Sequence, residues 1–128
     1  MRKVGGLLAA PVLLLALAGC AEHFTEDQKI QLRSGTSPYQ QEMLADLRVS
    51  EQEYRTAVAD AHRCVEATGA VPDPVRQMDG SQLGFGFAVT APDENAAARI
   101  SDKAHQCRSD YMDVVARVWM SQRERLTG

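Results

Sequence analysis

The spacing of apolar positions changes several times along the chain, and each change marks a different kind of element. Val4 to Ala18 is an almost unbroken apolar run behind Arg2 and Lys3. Ala21 to Thr36, AEHFTEDQKIQLRSGT, is mostly polar and reads as a coil with one weak helical turn. From Ser37-Pro38 the spacing becomes helical: Tyr39, Met43 and Leu47 recur at i, i+4 and i+8, with Leu44 beside them. Ser37 suits the N-cap and Pro38 the first helical position, where its missing N–H costs nothing.

A second helix has a sharper start. Ser50 and Glu53 form a capping box, with Val49 and Tyr54 at the two positions of a hydrophobic staple. Tyr54, Ala57, Val58, Ala61 and Val65 give it an apolar face, Cys64 flanks that face, and Gly69 supplies the stop. His62 falls on the opposite margin as a structural, partly solvated histidine.

The period then drops to two. A short strand is expected over Val75 to Met78, then a turn at Asp79-Gly80. The next strand alternates, with Leu83, Phe85, Phe87 and Val89 on one side and Gly84, Gly86 and Ala88 on the other. The bulky side should pack on the helices. The small side should leave a flat, lightly covered surface able to receive a partner or a second copy of the hairpin. Its glycines lack the third glycine and the following helix of a nucleotide-binding loop.

Thr90 is the expected N-cap of a last helix, with Asp93 near its positive end. Its stripe runs through Ala97, Ile100, Ala104, Cys107, Tyr111, Val114, Val115 and Val118. Trp119 at the stripe's edge is expected to clasp Tyr39 or Met43. Asp113 with Arg117, and Arg99 with Asp102 and Lys103, read as a solvated face. The fold class expected is α+β, mainly helical, in the order α-α-β-β-α with a two-stranded hairpin packed on the helices.

The opening run is too short to be a spanning helix, which needs ~20 apolar residues. A positive start, a short apolar stretch and small residues before the cut describe an export signal. Leu17-Ala18-Gly19-Cys20 resembles the lipobox of bacterial lipoproteins. The resemblance implies cleavage before Cys20, a diacylglycerol on its thiol, and several acyl chains as a stable anchor. It places the chain on the extracytoplasmic face of the plasma membrane, or on an outer membrane if the source has one. The expected division is a signal peptide at 1–19, a lipid-anchored tether at 20–37, a small domain at 38–124 and a frayed tail at 125–128. The tether would hold the domain roughly 20–25 Å from the bilayer, and His23 and Phe24 lie close enough to the anchor to touch its interface.

With Cys20 acylated, two cysteines remain, Cys64 and Cys107, each two residues after a histidine in HRC and HQC. Export favours a disulfide over free thiols. A metal centre is disfavoured, because residues two apart on a helix point about 200° away from each other. The expectation is therefore an inter-helix disulfide and no metal site.

The mature chain, Cys20 to Gly128, has 109 residues and a formal charge of -5 once Arg2 and Lys3 are gone. That balance argues against nucleic acid or an anionic lipid surface as a partner. No hydrolase elbow, zincin, Walker or calcium-loop pattern occurs, so neither an enzyme nor a cofactor is expected. Glu53-Tyr54-x-x-Ala57, Cys64, Gly69, Cys107 and Tyr111 resemble the pattern of short exported proteins of high-GC bacteria. This likeness supports the disulfide and an α-β-β-α order but implies no activity. The functional expectation is a non-catalytic interaction module in the cell envelope, with Gly84, Gly86 and Ala88 as its candidate surface and an envelope protein as its partner. The alternative is a lipoprotein binding a small ligand or a metal between hairpin and helices, near His62 or His105.

Overall fold

The computed structural model describes residues 23–127, with the backbone alone for 124–127. The expected signal peptide and lipobox, with Cys20, lie outside the described residues. Within them the chain is mainly helical, with a short antiparallel hairpin, as the α+β expectation requires.

The segment expected to be a tether contains a helix, α1 (Glu26–Ser34). A capping box, not foreseen in so polar a segment, starts it. Thr25 Oγ1 accepts from Gln28 N (3.1 Å), and Gln28 Oε1 accepts from Thr25 N (2.8 Å). Lys29 is only 4 % exposed, its stem inside the packing and its ammonium 3.6 Å from Glu26.

Helix α2 (Pro38–Met43) has the predicted Ser37 cap and Pro38 start. It stops a full turn before Leu47, whose φ of 59° lies in the left-handed region and ends any helix there. Gln40 and Leu44 are therefore the buried pair, and Tyr39 and Met43 are half-buried. Helix α3 (Glu51–Ala67) follows the sequence closely. Its Ser50–Glu53 box is formed, its five predicted apolar residues are all buried, and Gly69 at φ 99° turns the chain out.

The hairpin has strands β1 (Val71–Pro72), β2 (Arg76–Gln77), β3 (Leu83–Gly84) and β4 (Phe87–Ala88). β1 pairs with β4 and β2 with β3, both antiparallel, so the expected single strand pair is interrupted. Between the two ladders Asp73-Pro74-Val75 stands opposite Phe85-Gly86, three residues against two, which is a bulge. Pro74 has no N–H to give a ladder. Phe85 is buried and Leu83, Phe87 and Val89 pack on the helical core, as the alternation predicts.

The last helix is two helices, α4 (Glu94–Tyr111) and α5 (Asp113–Thr127). Its N-cap is Asp93, whose Oδ1 accepts from Ala96 N (2.8 Å), and not Thr90. Asp caps at least as well as Thr, and Pro92 before it stays outside the helix. The chain breaks at Met112, where φ is -138°. Gln40 splices the break: its Oε1 accepts from Val114 N (2.9 Å) and Val115 N (3.1 Å), and its Nε2 donates to Ser109 O (2.8 Å). Ser37 Oγ donates to Asp110 O beside it. A buried amide thus satisfies the first N–H groups of one helix and a last carbonyl of the other.

Cys64 on α3 and Cys107 on α4 face each other with sulfurs 2.11 Å apart and Cα atoms 5.6 Å apart, the expected inter-helix disulfide. The core gathers around this pair of helices, with Val58, Ala61, Val65, Ala104, Val115 and Val118 almost wholly enclosed. Helix α5 continues through Thr127, past the expected end at 124.

Candidate functional site

The two His-x-Cys segments divide their work. While the cysteines meet each other, each histidine turns toward the hairpin. His62 lies edge-on to Phe85 at 5.0 Å, with Nε2 2.9 Å from Asp73 O. His105 lies edge-on to Phe87 at 5.1 Å. The opposite directions follow from helical spacing, and the motif stitches the hairpin over the disulfide. Among the described residues no group of three or more His, Cys, Asp or Glu is placed to hold a metal ion.

The hairpin leaves an open cleft of about 660 Å³ against α3, α4 and α5. Tyr54, Leu83, Phe85, Met112 and Ala116 supply apolar walls, and Arg76, Arg108 and Arg117 supply positive charge. Asp113 is the one carboxylate in the lining. Arg108 comes from the last turn of α4. Its guanidinium donates to Phe85 O and lies 4.9 Å from the Phe85 ring centroid and 5.8 Å from that of Phe87. Its Nε is buried with no hydrogen-bond partner. Arg117 lies 5.5 Å from the Phe24 ring centroid.

Gly84 and Gly86 of the predicted surface both line this cleft, and Ala88 does not. Part of that glycine side is covered by the hairpin's other arm. A Cβ on Gly84 would meet Met78 Cγ at 3.2 Å, and one on Gly86 would meet Asp73 Oδ2 at 2.9 Å. Ala88 alone of the three is exposed. Spacing along the chain does not signal this convergence: Arg76, Arg108 and Arg117 come from three separate elements, and Arg117, expected on a solvated face beside Asp113, lines the cleft as well.

A smaller recess of about 200 Å³ lies on the other side of Tyr54, walled by Trp119, Leu83 and Ser81. Trp119 Nε1 is buried there without a partner. Tyr54 is therefore a wall of both concavities. Its hydroxyl is held above the usual tyrosine range by burial, which outweighs the opposing hydrogen bond with the Leu83 backbone. Tyr39, which donates to Asp60 and meets Tyr111 edge-on at 4.7 Å, is also raised, by burial first and by Tyr111 second.

Arg99, Asp102, Lys103, Asp113 and Arg117 are all exposed, as a solvated face requires, and Arg117 turns to Phe24. Ion pairs form elsewhere, at Glu26–Lys29, Glu51–Arg55 and Asp60–Arg63. No described helix is long and apolar enough to cross a membrane. Comparison with protein families, with curated proteins and with solved structures finds nothing that matches this chain.

Proposed function

We propose that the protein is an exported lipoprotein, anchored through Cys20 on the extracytoplasmic face of a cell membrane, that works as a non-catalytic interaction module. Its working surface is the cleft between hairpin and helices, and its partner is an acidic segment of another envelope protein. One observation carries this reading. Arg76, Arg108 and Arg117 converge on one apolar-walled cleft with Asp113 as its one carboxylate, on a chain whose overall charge is negative. Arginine's planar fork suits carboxylates, and its weak hydration suits a partly apolar setting. The anchor is supported by the basic start, the short apolar run and Leu17-Ala18-Gly19-Cys20.

The test is calorimetric titration of the purified mature domain with a Glu/Asp-rich peptide, and with the same peptide carrying Lys in place of the acids. Binding of the acidic peptide alone, lost in Arg108→Ala and weakened by salt, supports the reading. No heat with the acidic peptide at low salt removes it.

A second reading rests on the concavity itself, which has the volume of a small-molecule site. A small anion with an apolar body would use the same arginines. Saturable heat with an aryl carboxylate, and none with the peptide, would favour it.

A further inference from the structure

Because α1 belongs to the folded domain, the leash between lipid and domain is far shorter than the sequence suggests. Phe24 is pinned at its start: its backbone N–H donates to Ser121 Oγ on α5 (3.2 Å), and its half-buried ring packs at the edge of the core beneath Arg117. Thr25 caps α1 immediately afterwards, and buried Lys29 seats the helix. Only Ala21, Glu22 and His23 separate Cys20 from that fixed point. Four Cα steps reach at most about 14 Å when fully extended. A free coil reaching to residue 37 would instead average roughly 20–25 Å and could stretch much further.

Beside the point of attachment is a shallow recess lined by Phe24, Gln28, Gln31 and Leu32, none of them charged. We propose that acylated Cys20 holds this face against the bilayer in which it is anchored, so that α1 lies at headgroup level and the domain rides on the membrane without a spacer. The placement rests on the lipid anchor proposed above.

Charge does not drive the contact. Glu26 and Asp27 are exposed in the first turn of α1 and would repel an anionic surface. The acyl chains supply the attachment and the short leash supplies the orientation. The contact is therefore expected not to strengthen as the anionic lipid fraction rises. Arg117 both lines the cleft and covers Phe24. The α5 edge of the cleft accordingly borders the anchored face, and a partner must reach it from along the membrane surface.

The test uses the full lipidated chain in phosphatidylcholine vesicles that contain a headgroup-nitroxide lipid, which quenches tryptophan only at short range. Intact mass first establishes whether Cys20 is acylated. Gln31→Trp and Val71→Trp then add reporters at two exposed positions to the buried native Trp119. Gln31→Trp is expected to lose most of its added fluorescence and Val71→Trp almost none. A long flexible Gly-Ser insert between Glu22 and His23 should abolish the Gln31→Trp quenching. Acylated protein whose Gln31→Trp reporter is unquenched, or whose Val71→Trp reporter is quenched instead, overturns the placement while leaving the anchor intact. A mass without acyl chains on Cys20 overturns the anchor and the placement together.

Discussion

Tyr54 and Trp119 stack with ring centroids 5.4 Å apart and planes 20° from parallel, joining α3 to α5. The Tyr54 hydroxyl reaches past the stack to the hairpin, accepting from Leu83 N (2.8 Å) and donating to Leu83 O (3.3 Å). One residue thus ties two helices and a strand together and forms the wall shared by both concavities. Trp119 stacks on Tyr54, while Tyr39 takes Tyr111 as its aromatic partner.

Tyr54→Phe keeps the stack and removes the hydroxyl, leaving the Leu83 N–H without its acceptor. The expected loss is about 1–3 kcal/mol of unfolding free energy, read from denaturant titration. Unchanged stability would show that water replaces the hydroxyl at no cost.

Alkaline pH should destabilise the fold through the same residue. Tyr54 and Tyr39 hold their protons more tightly folded than unfolded, since burial raises both. Their contribution is complete below the unfolded value of about 10 and is lost as pH rises through the folded values. Stability should fall from about pH 10 upward, with a shallower slope in Tyr54→Phe. Parallel curves for the two proteins would assign the decline to other groups.

The Cys64–Cys107 bond closes a separation of 43 residues. Reduction, or the paired change Cys64→Ser with Cys107→Ser, is expected to cost on the order of 4 kcal/mol. Alkylation of the non-reduced protein followed by mass measurement should find neither Cys64 nor Cys107 free; modification of both would contradict the bond.

Gln40 is fully enclosed, and its side chain holds groups on both sides of the α4–α5 break. Gln40→Leu fills the space but leaves those buried N–H groups unpaired. A loss of roughly 2–4 kcal/mol is expected, since each orphaned buried group costs about 1–3 kcal/mol. Hydrogen exchange should show the amides of Val114 and Val115 losing protection first. Loss confined to distant amides would mean that the break is held by other contacts.

Much of the fold was legible because local chemistry decides it. Caps at Ser37 and Ser50, the staple of Val49 with Tyr54, the stop at Gly69 and the turn at Asp79-Gly80 all act within about five residues. The buried face of α3 follows from its period alone. The capping box of Thr25 and Gln28 was equally local, but its segment looked too polar to fold, and only docking on α5 shows what Lys29 and Leu32 cover.

The helical face of α3, the alternation of Leu83 to Val89, the direction of both cysteines and the opposite direction of their histidines can be read from the chain alone. Those are consequences of backbone period and of interactions between near neighbours. Long-range packing set the rest: Gln40 bridging the break in the last helix, the bulge at Asp73-Pro74-Val75, three arginines sharing one cleft, and Phe24 docking on α5. Each of these depends on groups distant along the chain meeting in space, and neither spacing nor composition records which distant groups will meet.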